Sequence, residues 1–102
     1  MSKAIPKEEA RELFMDHLRQ LAFYWSKVNC ATERERCEGL IHSVLTTLDG
    51  CSPGIPTIDL VLRPHADDKA FHEAEGQDYF ADGQVINDDC HLHDLLFVKA
   101  PT

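Results

Sequence analysis

Apolar side chains recur at three- and four-residue steps from Ala10 through Phe14, Leu18, Leu21 and Trp25 to Val28, drawing one stripe along a helix. Lys7, Arg11, Glu12, Asp16 and Arg19 fill the opposite side, so the pattern predicts an amphipathic helix over 6–28. Pro6 suits a first helical position, and Glu8 and Glu9 lie where the helix dipole favours negative charge. A second stripe, Cys37, Leu40, Ile41, Val44, Leu45 and Leu48, keeps the same period. The "TERE" run before it, Thr32 to Glu35, has the spacing of a capping box, and "DG" at Asp49–Gly50 is a helix stop. The short "NCA" joint between the two helices implies an antiparallel hairpin. Gly39, unfavourable inside a helix, predicts a close helix–helix approach.

After the proline-rich loop "CSPGIP" the period drops to two. Ile58, Leu60 and Leu62 alternate with Asp59, Val61 and Arg63, which reads as a half-buried strand closed by Pro64. "HADDKAFH" then opens a short helix near 66–75, with Asp67 or Asp68 at its N-terminus and Phe71 turned inward. "DG" at Asp82–Gly83 predicts a hairpin turn before Val85 and Ile86. A last short helix is expected near 88–96, with Asn87 as its cap and Leu92, Leu95 and Leu96 packing inward. These elements assemble into an α+β expectation: an antiparallel helix hairpin packed on a small β-sheet around 57–63, with one or two short additional helices, in a single domain over 1–102. A thin sheet leaves an open edge, so a homodimer is expected through that edge or through spare apolar surface of the hairpin.

Composition narrows the class. At 43% hydrophobic residues the chain can form a core, and no apolar run approaches the ~20 residues of a membrane span. The N-terminus turns acidic at Glu8 and Glu9, where a secretory leader needs its apolar segment, so the chain reads as cytoplasmic with no membrane partner. Cys30, Cys37, Cys51 and Cys90 lack any Cys-x-x-Cys spacing; they read as reduced thiols, with Cys37 in the core.

Charge then separates the chain into two parts. Of a net −8, residues 1–64 hold nine acids against eight Lys and Arg, whereas 65–94 hold nine acids against Lys69 alone. Such a surface is a poor match for nucleic acid, where affinity comes from Lys and Arg on phosphates. It suits a cation, or a protein partner with a basic face. The reading that follows is a small acidic interaction or regulatory protein using 65–94, with Asp67, Glu73, Glu75, Asp78 and Asp88 on its contact surface.

The alternative is a metal-binding protein or metal-dependent enzyme with a His/Asp site within 65–93. His65, Asp68 and His72 fall on one helical face at offsets 0, 3 and 7, but supply at most three ligands to a divalent ion. "DDCHLHD" adds Asp89 and His93 at i, i+4, while His91 and His93, two apart, face different ways on a helix. No complete ligand motif of known type is present, so no cofactor is the first expectation. No phosphate loop, G-x-S-x-G or H-E-x-x-H is present, and no catalytic residue is assigned.

Three stretches, "CEGLIHSVLTTLDG", "RPHADDKAFHEAEGQDYF" and "INDDCHLHDLLF", together resemble a family of small uncharacterised proteins of proteobacteria and their phages or prophages. The likeness runs from about the second helix to Phe97. It implies a single-domain unit of that provenance and brings no functional residue with it.

Overall fold

Helix α1 spans Lys7–Ser26 in the computed structural model, which describes residues 2–29 and 31–97. Pro6 stands one position earlier than its expected place, at the N-cap. Helix α2 spans Glu33–Leu48 and begins with the predicted capping box. The Thr32 hydroxyl accepts from the Glu35 N–H at 3.1 Å, and the Glu35 carboxylate accepts from the Thr32 N–H at 3.0 Å. That exchange satisfies two donors the first turn otherwise leaves open.

The two helices pack as an antiparallel hairpin. Trp25, near the end of α1, reaches the middle of α2, where its indole N–H donates to the Ser43 hydroxyl at 2.9 Å. His17, nearer the start of α1, meets Thr47 at the end of α2. Gly39 lies under the Trp25 ring, and a Cβ built there would sit 2.5 Å from its carbons. The sequence reading of Gly39 as a close approach is therefore right.

The apolar stripes are only half covered. Phe14, Leu18, Leu21, Trp25, Leu40, Val44 and Leu45 remain half-exposed, and Leu48 alone among the described hydrophobic residues is buried. Cys37, expected in the core, is exposed. What is fully enclosed is polar. The Thr47 side chain is inaccessible; its hydroxyl donates to the Ser43 carbonyl at 2.9 Å, which leaves its oxygen to accept from His17 Nε2 at 2.9 Å.

The chain forms two compact units, Met1–Ile58 with His91–Thr102, and Asp59–Cys90. The first also contains helix α4, Leu92–Leu95, packed on α2. The second contains helix α3, Asp68–Ala74, ended by Gly76 at φ 69°.

The expected small sheet is absent from the described residues. Among the described residues the strand pairing consists of one isolated antiparallel bridge, Val61 to Val85. Backbone bonds flank it: Leu62 N–H to Gln84 O at 2.9 Å, Gly83 N–H to Leu62 O at 2.8 Å and Ile86 N–H to Leu60 O at 3.0 Å. The alternation was real, since Ile58, Leu60 and Leu62 are half-buried while Asp59, Val61 and Arg63 are exposed. It orients side chains but does not supply neighbouring strands. Pro64 removes the next donor, and the Leu60 N–H is taken by the Asn87 side chain at 2.8 Å. The α+β expectation thus gives way, among the described residues, to four helices with one bridge. Three local readings also change. Asn87 is buried and bonds Leu60 instead of capping a helix, Phe71 is 60% exposed, and the last helix begins at Leu92, not near 88.

Candidate functional site

Two regions gather chemistry, one in each unit. In Asp59–Cys90, the histidines and acids of "HADDKAFH" serve local structure. The His65 N–H donates to the Asp68 carboxylate at 3.1 Å, and His65 Nδ1 accepts from the Asp67 N–H at 3.2 Å. His72 Nδ1 lies 3.0 Å from the Gln77 side-chain oxygen. Asp68 thereby holds the chain entering α3. His65, Asp68 and His72 do not converge as a ligand set, and Asp89 is exposed outside any such group.

The acids expected on a contact surface are outside. Asp67, Glu73, Glu75, Asp78 and Asp88 are all exposed. The ion pairs around them are loose: Lys69 Nζ to Glu73 at 4.0 Å and Arg63 to Asp82 at 3.9 Å. Beside these acids stand large aromatic side chains. Phe80 is 72% exposed, and Tyr79 with Phe80 joins Pro64, His65, Ala66 and Lys69 around an open groove. Lys69 Nζ sits 5.3 Å from the Tyr79 ring centroid.

The second region is built from the end of α2 and the start of α4. Asp49 is the C-cap of α2, followed by Gly50 at φ 81°. The Cys51 N–H reaches back to Thr46 O at 3.1 Å and the Gly50 N–H to Thr47 O at 3.1 Å, which is a Schellman ending. A side chain at Gly50 would collide with the Thr57 hydroxyl, so both the backbone and the space require glycine. This turn sets Asp49 and Cys51 on a fixed frame.

The Asp49 side chain is inaccessible and accepts three bonds: from the Leu92 N–H at 2.9 Å, the His93 N–H at 2.9 Å and His93 Nδ1 at 2.6 Å. Burial alone would raise its carboxyl pKa, but the two backbone donors and the His93 ring outweigh that and hold it below the usual aspartate range. With Nδ1–H committed to Asp49, His93 presents Nε2 outward. Cys51 Sγ, His91 and His93 then come together, one ligand atom from each lying within 4.8 Å of the others. His42 stands beside this cluster, its ring 5.5 Å from that of His93.

His93 is the one sequence-predicted ligand that enters the cluster. Cys51, His91 and Asp49 were missed. His91 is not on a helix but is the extended residue before α4, at φ −99° and ψ 116°, which lets its ring stack beside His93 with centroids 5.4 Å apart. The "HLH" doublet is the available signal, and its two rings diverge only if the helix already runs through His91, which it does not.

No family model, curated protein or solved structure matches the chain. No helix among the described residues is long and apolar enough to cross a membrane.

Proposed function

We propose that this chain is a small interaction protein that offers the acidic face of its Asp59–Cys90 unit to a protein partner with a basic surface. The observation that carries this reading is the pairing of exposed aromatics with unneutralised acids. The unit holds nine acids against Arg63 and Lys69, and Phe71 and Phe80 stand out from it at 60% and 72% exposure. Apolar anchors ringed by charge are the usual anatomy of a protein interface. The carboxylates select the partner and speed its approach, while the aromatics provide area to bury. Phosphate backbones are disfavoured by the same charge.

The test is paired capture. Wild-type protein and a variant with Asp67, Glu73, Glu75, Asp78 and Asp88 neutralised to Asn or Gln serve as the two baits. A partner kept by the first, lost by the second and released by rising salt supports the reading. A partner held equally by both, insensitive to salt, overturns it.

The α1–α2 hairpin supports a homodimer as a second element of the proposal. A 20-residue amphipathic helix with no buried residue is covered on one side only, and a second copy laid across the hairpin completes a four-helix arrangement. Exposed Leu13, Phe23, Tyr24 and Ile41 supply apolar surface for it. Sedimentation should give a dimer at micromolar concentration; a monomer at high micromolar concentration removes this element.

A further inference from the structure

We infer that Cys51, His91 and His93 form a binding site for a zinc-class divalent ion, with Asp49 positioning His93 for it. The site lies wholly within the Met1–Ile58 and His91–Thr102 unit and is independent of the acidic contact surface.

The donor set argues for the metal class. A thiolate with two imidazoles suits zinc or cobalt(II), and not magnesium or calcium, which take oxygen. The separations agree. Metal–ligand bonds of ~2.0–2.3 Å in a tetrahedron place ligand atoms roughly 3.3–3.8 Å apart. The three atoms here already lie within 4.8 Å of one another, so adjustments of about 1 Å bring them to that distance. Cys51 and His91 are exposed and can make that adjustment, whereas His93 is held by Asp49 and only 19% of its side chain is accessible.

Orientation argues for the same point in space. A zinc-bound histidine commonly gives its other ring N–H to a carboxylate, which fixes the tautomer and strengthens the ligating nitrogen. Asp49 does this to His93 at 2.6 Å. On the other side of the ring, Asp94 stands 3.4 Å from His93 Nε2 and 3.8 Å from His91 Nδ1. The three protein ligands leave the fourth position of a tetrahedral ion to water. Three ligands come from two short segments that are far apart in sequence, and the capped turn after α2 and the start of α4 are what bring them together.

Binding exchanges the Cys51 thiol proton for the metal, so it releases a proton and strengthens as pH rises toward neutrality. No redox change is involved.

The experiment uses untagged full-length protein with a non-thiol reductant, titrated with cobalt(II) and then zinc. One equivalent of cobalt should give tetrahedral visible bands and a thiolate charge-transfer band, both removed by zinc. Zinc should also shield Cys51 from alkylation. Cys51→Ser should abolish the charge-transfer band, and His91→Gln should weaken zinc binding at least tenfold. Asp49→Asn should weaken it about 10–100-fold, the loss expected when a ligand's supporting carboxylate is altered. Cys37→Ser should change nothing. Should Asp49→Asn fail to fold, the exposed Cys51 and His91 variants still decide the matter. Cobalt bound without a charge-transfer band, or zinc affinity unchanged in Cys51→Ser, overturns the site.

Discussion

Each unit of this chain contains nine acids, but Met1–Ile58 with His91–Thr102 balances them with eight Lys and Arg, and Asp59–Cys90 with two. The difference extends to how the backbone is held. In the first unit, two long helices are closed by a capping box at one end of α2 and a Schellman turn at the other. A buried carboxylate then ties α4 to that turn. In the second unit a seven-residue helix and one β-bridge carry the fold, and Phe71, Tyr79 and Phe80 stand exposed among its acids. The first unit ties its polar groups into its own frame; in the second, Asp68 and Asn87 do the same while Asp67, Glu73, Glu75, Asp78 and Asp88 remain exposed. Substitutions should therefore cost stability in the first and binding in the second.

The largest effect is expected at Asp49. Asp49→Ala leaves the Leu92 and His93 N–H groups without their acceptor and releases α4 from the end of α2. A loss of about 3 kcal/mol in urea unfolding is expected, since bonds to a charged acceptor contribute about 1.5–3 kcal/mol each and water recovers part. The same group sets an acid limit. Its folded pKa is lowered, so its contribution is complete above the unfolded value of about 3.9 and disappears as pH falls through the folded one. Stability should drop on acidification below about pH 4, and Asp49→Asn should flatten that drop. An identical acid profile in the variant would locate the acid sensitivity elsewhere.

Next comes the helix contact. Gly39→Ala puts a methyl group into the Trp25 ring, and the expected cost is about 2 kcal/mol despite alanine's advantage in helices. Trp25→Phe should restore part of it, because the smaller ring frees that space. Equal stability of Gly39→Ala and wild type would show that the Trp25 ring does not press on Gly39.

The unequal legibility of the two units has a physical cause. The hairpin could be read because helices announce their ends locally: Thr32 and Glu35, and the Asp49–Gly50 turn, each act within a few residues of their position. The sheet could not, because alternation at Ile58, Leu60 and Leu62 reports which side faces inward and says nothing about a partner strand. Phe71 and Cys37 failed for a related reason. Helical period identifies a stripe, but how much of it is covered depends on what packs there. The Cys51, His91 and His93 cluster was hidden further, since Asp49 looked like a helix stop and its second role requires α4 to be nearby.

A smaller effect tests the first unit at its exposed end. Thr32→Ala removes the hydroxyl that accepts from Glu35 and should lower stability by about 1 kcal/mol. The Glu35 carboxyl, now held below its usual range by the Thr32 backbone and side chain, should move back toward it. Carbon-detected NMR titration of that carboxyl reads the change directly.

The smallest stability effect should come from the most charged region, and that contrast sharpens the comparison most. Asp67 is 91% exposed, and the nearest cation to Glu73 lies 4.0 Å away, so neither carboxylate does much to hold the fold. Neutralising Asp67, Glu73, Glu75, Asp78 and Asp88 together removes five like charges from a unit that has only Arg63 and Lys69 to offset them. Self-repulsion falls, and the thermal midpoint should stay within about 3 °C of wild type or rise slightly. Low salt should enlarge any rise, because repulsion among exposed charges is screened over about 10 Å at 0.1 M. Partner capture should fail in the same variant. A large fall in thermal midpoint would mean that these acids are structural after all, and the division between a self-supporting unit and a presenting one would not stand.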